Sequence, residues 1–171
     1  MKVCKFEKIK DEDEMKQVIN CIQKEHPYVA VVPILAQLQE WLQAISISWF
    51  HEEDEVSHTT VNAIEAYCCT LANHLITDSH LNQEIKNRIL ECIKKIHILV
   101  EDKADLLIDK MIKAEVYGLS SDLFTYCLRQ QGLRAQTLDT GKLIQINLER
   151  KPDIPYIQAV SYTHLTLPTI R

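Results

Sequence analysis

The expected fold is decided by residues 114–156, AEVYGLSSDLFTYCLRQQGLRAQTLDTGKLIQINLERKPDIPY, because this stretch carries the clearest capping and turn signals of the chain. Ser120 and Ser121 predict a helix start, since a serine hydroxyl can accept a hydrogen bond from a free backbone N–H of the first turn. Asp122 would then lie at the positive end of the helix dipole. Gly132 predicts the helix end, because glycine takes the left-handed conformation that satisfies the last carbonyls.

Two short strands are predicted after this helix. They cover residues 133–138 and 142–147, with a turn at Asp-Thr-Gly, residues 139–141. Residues 151–155, KPDIP, contain two prolines and predict a loop.

The N-terminal part predicts a strand, a helix and a second strand. Residues 2–6 alternate polar and apolar side chains, and residues 11–25 place apolar side chains on one helical face behind an acidic first turn. Residues 28–34 form a continuous apolar run, which is expected of a strand buried on both faces of a parallel sheet. Strand, helix and strand in this order predict a right-handed crossover unit.

The middle of the chain is predicted to be helical. A first helix starts near Leu35, and two long helices over residues 56–76 and 81–100 are joined by residues 77–79, which offer caps for the second. The two long helices predict an antiparallel hairpin, and residues 104–114 predict a shorter helix after it.

Four segments in this order resemble the middle of the kinase domain of aspartate kinases: Gly-Leu-Ser-Ser at 118–121, LRQQGLRAQ at 128–136, LDTGKLI at 138–144 and Lys-Pro-Asp-Ile at 151–154. The opening residues 1–6, MKVCKF, are similar to that family's first strand, which normally continues into Gly-Gly-Thr-Ser. The likeness covers residues 1–34 and 104–158.

The resemblance implies an α/β fold, a three-layer sandwich of the amino acid kinase type with a mainly parallel sheet. Residues 1–158 would form the N-terminal part of that domain, and residues 35–114 a helical excursion. The family transfers the γ-phosphate of ATP, with Mg²⁺, to the side-chain carboxylate of L-aspartate in lysine, threonine and methionine biosynthesis. By resemblance, Lys5 would be the catalytic residue facing the phosphates, and Ser120 and Ser121 would bind the substrate.

The motifs of the family are altered at several positions, which predicts an inactive chain. Glu7-Lys8-Ile9-Lys10 stand where Gly-Gly-Thr-Ser is usual, and residues 35–40 lack the glycine of the second phosphate motif. Tyr117 falls on the glutamate of the Gly-Glu motif when Ser120 and Ser121 are aligned without a gap; a two-residue shift would bring Glu115 there but would displace the serines. Gly141 falls on the arginine of Leu-Asp-Ala-Arg. Residues 145–148 replace Arg-Thr-Asn-Asp, and the family's later nucleotide-binding half has no counterpart among these 171 residues. Phosphoryl transfer depends on such preorganised contacts.

Two hypotheses of function follow. The first is a divergent aspartate kinase fragment that has lost phosphoryl transfer. The second is a non-catalytic interaction or oligomerisation module, in which the hairpin of residues 56–100 pairs with itself or with an active kinase.

Composition limits the remaining possibilities. A net charge of -5 gives no reason to expect nucleic acid or an acidic membrane as a partner. No apolar run is long enough for a membrane span, and the N-terminus lacks the apolar segment of a signal peptide, which predicts a cytoplasmic protein. The six cysteines show no metal-ligand spacing and are interpreted as reduced core thiols, so no metal site is predicted.

The C-terminal tail, residues 159–171, is expected to derive from an adapter. Codons for residues 160–169 can spell a transposase adapter of sequencing libraries, so these residues are set apart from the fold. The natural protein would then be longer than this chain. A native edge strand is the alternative interpretation.

Overall fold

A computed structural model describes residues 3–27, 29–51, 53–101, 107–139, 151 and 153–156. Residues 1–136 form one compact unit and residues 137–171 a second. The elements of the first unit are two strands and five helices, in the order β1 (Val3–Lys5), α1 (Glu12–Glu25), β2 (Val29–Val31), α2 (Ala36–Phe50), α3 (Asp54–Leu75), α4 (Ser79–Glu101) and α5 (Ile108–Gln130). In the second unit, residues 154–156 form a helical turn, and Tyr156 N–H donates to Asp153 Oδ1 at 3.1 Å.

The expected three-layer α/β sandwich is wrong. The described residues contain one two-stranded sheet, and most of the structure is a helical arrangement in which α3 packs on α2 and α4, and α4 packs on α5. The reason is that the segment predicted to be an excursion buries most of the core. Helices α2 to α5 supply twenty-odd fully or nearly fully buried apolar side chains, including Leu38, Ile64, Ile89 and Leu119.

The β-α-β start was predicted correctly in its order and in the parallel pairing of its strands. β1 and β2 pair in the register Val3↔Val29, Cys4↔Ala30 and Lys5↔Val31. The prediction that the second strand is buried on both faces is wrong, because Val31 of β2 is 47% exposed. Val3, in the neighbouring strand β1, is 52% exposed. The sheet therefore has an open apolar surface.

Helix α1 follows its sequence signals closely. Asp11 is its N-cap, and its carboxylate accepts from the backbone N–H of Glu14 at 2.9 Å. The apolar stripe predicted on one face is buried, and the helix ends at His26, whose φ of 43° lies in the left-handed region. Val32 and Ile34, which follow β2, pack against the buried core.

The antiparallel hairpin of α3 and α4 is confirmed. Asp78 caps α4, since its carboxylate accepts from the backbone N–H of Leu81 at 2.9 Å. The turn is also held by α5, because the side-chain oxygen of Gln130 accepts from the backbone N–H groups of Thr77 and Asp78. The amide nitrogen of Gln130 donates to the carbonyl of Leu75 at 2.9 Å. The end of α5 and the hairpin turn are thus one hydrogen-bonded unit.

The predicted helix start at Ser120 is wrong, because α5 runs without interruption from Ile108 to Gln130. In mid-helix the backbone N–H groups are already bonded, and Ser121 Oγ instead donates to the carbonyl of Tyr117 at 3.2 Å. The described part of the predicted shorter helix belongs to this same element.

The helix end at Gly132 is confirmed, with φ at 81°, and the backbone N–H groups of Gly132 and Leu133 bond back to Arg129 and Leu128. The strand predicted at 133–138 is wrong, since residues 133–139 have no regular structure. The second predicted strand, 142–147, and the tail expected to derive from an adapter, 159–171, lie outside the described residues.

Candidate functional site

A small cavity lies where the chain leaves β2 and passes α5. Its volume is about 180 Å³, and its described lining comprises three residues that follow β2 and three from the middle of α5: Val32, Pro33, Ile34, Tyr117, Ser120 and Ser121. In sheets with parallel strands, ligands are found outside the carboxyl ends of the strands. The position of the cavity agrees with that rule.

Ser120 is the most unusual residue in this lining. It is 2% exposed, and its hydroxyl oxygen has no hydrogen-bond partner among the described residues. A buried hydroxyl without a partner costs about 1–3 kcal/mol. A ligand that supplied the missing hydrogen bond would recover part of that cost, so Ser120 is a candidate binding residue.

The other polar groups of the lining are Ser121 and Tyr117. Ser121 is half-buried, with its hydroxyl bonded to the Tyr117 carbonyl, and the Tyr117 side chain is 44% exposed. Among the described lining residues none carries a charged side chain. The described lining can therefore supply three hydroxyl groups and apolar contact, and a charged group of a ligand would have to remain in contact with solvent or with residues outside this lining.

The structure brings two of the three predicted site residues together. Ser120 and Ser121 both line the cavity, whereas Lys5 lies outside its described lining. Lys5 ends β1 with an exposed side chain and is the partner of Val31, the residue that immediately precedes the lining. The sheet register thus places Lys5 near the cavity without making it part of the wall.

The segment that would hold phosphate in the resembling family is arranged differently here. The amide groups at its two ends are occupied, since Phe6 N–H, directly before it, donates to the Val31 carbonyl and Lys10 N–H donates to Glu14 Oε2 at 2.7 Å. Ile9 is fully buried and forms a parallel bridge with Leu35. A phosphate site needs free backbone N–H groups directed at the ligand, so this segment is poorly suited to ATP.

The charge at the start of α1 also opposes phosphate. The first turn of that helix contains Glu12, Asp13 and Glu14 directly after the Asp11 cap. Four carboxylates surround the helix N-terminus, where a phosphate would otherwise be stabilised by the helix dipole. Lys16 lies 2.7 Å from Glu12 and 3.8 Å from Asp13, and Lys10 lies 3.8 Å from Glu14, so two lysines offset part of this charge.

Asp122, predicted to lie at a helix N-terminus, instead forms a salt bridge between helices. Its Oδ2 accepts from Nε of Arg88 at 2.9 Å, which joins α5 to α4. The pair stabilises the helix packing beside the cavity.

The thiols were predicted to be core groups, and three of them are buried in the helical core. Burial raises the pKa of Cys127 to about 12, and burial together with the nearby Glu115 raises that of Cys92 to about 12. Such thiols remain protonated at neutral pH and are poor nucleophiles. In the part of the chain that the structure describes, no group of three or more His, Cys, Asp or Glu side chains is arranged to hold a metal ion.

Sequence reasoning missed residues 32–34 and the part that Tyr117 plays in the wall. The position after a parallel strand was the available signal, because such loops commonly carry ligand contacts.

None of the described helices is both long and apolar enough to cross a membrane. No family model, no curated protein and no solved structure matches the chain, so the resemblance to aspartate kinases rests on the motifs alone.

Proposed function

We propose that the chain is a relative of aspartate kinases that has lost phosphoryl transfer and keeps a binding site for a small amino acid, with L-aspartate as the first candidate. The observation that carries the proposal is the hydroxyl of Ser120, which is buried without a partner in the wall of a cavity that the substrate-motif serines share. An amino acid is chosen as the ligand because the order of the motifs along the chain resembles that of aspartate kinases.

The size of the cavity supports a ligand of this class. A cavity of about 150 Å³ in a protein core can accommodate benzene, and sites for drug-sized ligands begin at about 300 Å³. The volume here, about 180 Å³, lies between these values. It suits a compact metabolite.

The loss of catalysis follows from the N-terminal segment. The amides of Phe6 and Lys10 are bonded within the protein, and four carboxylates surround the start of α1. Removing one preorganised contact to the transition state lowers the rate by about 10²- to 10³-fold. Because several are altered at once, we expect no measurable formation of aspartyl phosphate.

The test is isothermal titration of the full chain with L-aspartate, and separately with Mg-ATP. Wild type should bind aspartate, and Ser120→Ala should bind it about five- to tenfold more weakly, the effect of one lost hydrogen bond. Ser79→Ala, an exposed serine at the start of α4, is the matched control and should bind like wild type. Equal affinity in the Ser120 and Ser79 variants, or no binding by folded wild type, contradicts the proposal.

Lys5→Ala separates the binding site from the phosphate site. Since Lys5 lies outside the described lining, this variant should retain aspartate binding, and neither protein should consume ATP in the presence of aspartate. ATP consumption by wild type that is lost in Lys5→Ala would restore the kinase interpretation.

A second candidate function is self-association through the α3–α4 hairpin. The observation that favours it is the exposure of three apolar side chains on this hairpin, Ile98 at 67%, Val56 at 48% and Leu90 at 41%. Exposed apolar surface is typical of protein contacts when it is contiguous. Sedimentation of wild type and of Ile98→Asp tests it: a dimer that the substitution dissociates supports the second function, and a wild-type monomer rules it out.

A further inference from the structure

Two histidines meet between the helices of the α3–α4 hairpin, away from the cavity. The Nδ1 atoms of His58 and His97 are 2.7 Å apart, and their ring centres are 5.0 Å apart with 20° between the planes. The ring centres are thus farther apart than the nitrogens by about 1.15 Å on each side. This distance is roughly that from the centre of an imidazole ring to one of its nitrogens. Both nitrogens therefore lie on the line between the ring centres and face each other head-on.

This geometry suits a shared proton better than a metal ion. A hydrogen bond is strongest when donor, proton and acceptor are collinear. A metal ion bound to both nitrogens at about 2.0–2.1 Å would hold them further apart, with the lone pairs converging at an angle. The rings thus form an N–H···N bond in which one Nδ1 donates and the other accepts.

The Nε2 atom of each histidine, the ring nitrogen that does not face the other ring, has a polar neighbour. His97 Nε2 lies 3.1 Å from Asn62 Oδ1, and His58 Nε2 lies 4.0 Å from Glu101 Oε1. The charged groups that act on His97 are Glu65 of α3 and Glu101 of α4. These carboxylates favour one positive charge on the pair.

A second positive charge is incompatible with the contact. When both rings are protonated, each Nδ1 carries a hydrogen and neither can accept, so the N–H···N bond is lost and two cations face each other. Burial, and next the proximity of His58, lower the pKa of His97 despite the two carboxylates. The folded chain therefore binds fewer protons than the unfolded chain at mildly acidic pH.

We propose that His58 and His97 form a proton-sensitive latch that holds α3 against α4 and opens when the second ring is protonated. The geometry decides in which direction the stability of the closed hairpin changes with pH. The stabilisation is complete above the ordinary histidine pKa of about 6.5 and is lost as the pH falls below it. Between the ordinary histidine pKa and the lowered pKa of the closed pair, the open hairpin holds one more proton than the closed one, so each pH unit lowers the ratio of closed to open hairpin by at most about tenfold.

The latch lies next to a second contact that would report its opening. Ser57, the residue before His58, is fully buried, and its hydroxyl lies 2.7 Å from the hydroxyl of Ser48 on α2. Separation of the histidines would loosen this α2–α3 contact as well. Amide exchange near residues 48 and 57 is therefore expected to rise together with exchange near residue 97.

The experiment is a pH titration of the full chain between 7.5 and 5.0, followed by imidazole nitrogen NMR and by urea unfolding. The latch predicts coupled titration of both rings and a urea midpoint that falls with pH. In His58→Asn and His97→Asn the midpoint should depend less on pH, whereas His80→Asn, whose side chain is 81% exposed, should behave like wild type.

Independent titration of both rings at ordinary values in wild type overturns the proposal, and this readout does not depend on whether a variant folds. An unchanged pH dependence of the urea midpoint in folded His58→Asn overturns it as well.

Discussion

The helical core of α2 to α5 and the two-stranded sheet differ in how completely they are covered. In the core, Ile64, Ile85, Ile89 and Ile96 are fully buried, whereas Val3 and Val31 of the sheet are about half exposed. The comparison shows that helix packing dominates the stability of the described fold. The sheet mainly positions residues 32–34 beside α5, where the cavity forms.

The largest effect should come from truncating a core side chain of α4. Ile89→Ala removes a fully buried side chain and should lower the free energy of unfolding by about 2–5 kcal/mol. Ile98→Ala on the same helix, at a position 67% exposed, should change it by less than about 0.5 kcal/mol. Urea unfolding of both variants measures the difference, and equal effects would mean that α4 packs with another face.

A smaller effect is expected at the junction of α5 with the hairpin turn. Gln130→Ala leaves the backbone N–H groups of Thr77 and Asp78 and the Leu75 carbonyl without this partner, at a cost of about 0.5–1.5 kcal/mol because water can replace the bonds at the exposed turn. Gln131→Ala, at the exposed neighbouring position, is the control. If thermal unfolding places both variants at the wild-type midpoint, Gln130 does not hold the turn.

The smallest effect is expected in the sheet. Val31→Thr should change the free energy of unfolding by less than about 0.5 kcal/mol, because the side chain is half exposed. The same substitution at Val61, which is fully buried in α3, should cost about 1–3 kcal/mol because it buries a hydroxyl. A cost at Val31 as large as at Val61, measured by urea unfolding, would show that the sheet face is covered in solution.

Local signals predicted the elements better than the resemblance predicted their assembly. The acidic first turn of α1, the hairpin turn at residues 77–79 and the left-handed Gly132 were predicted from a few neighbouring residues, and each holds in the structure. How many strands join a sheet depends on segments far apart in the sequence. The larger sheet was expected only because the chain resembles aspartate kinases, and the described residues form a two-stranded sheet.

The course of α5 was available in the sequence but was overlooked. Ile112, Val116, Leu119 and Leu123 recur at intervals of four, three and four, a continuous helical stripe across Ser120 that is buried along its length. Ser-Ser-Asp is compatible with a helix start and also with a helix interior, where hydroxyls bond back to carbonyls. The apolar period decides between the two, and here it favours the interior.

The histidine pair also had a signal in the sequence. His58 lies 19 positions before Thr77, and His97 lies 19 positions after Asp78. In an antiparallel hairpin of regular helices, residues equidistant from the turn lie opposite each other. The cavity had no comparable signal, because its wall joins residues more than 80 positions apart.

The most direct test of the proposed site is an NMR titration of the isotopically labelled chain with L-aspartate, following the backbone amides. If aspartate binds in the cavity, saturable shifts should concentrate at Val32, Ile34, Ser120 and Ser121, in the two segments that line it. Shifts confined to other parts of the chain, or none at millimolar aspartate with a folded protein, would contradict the proposed site.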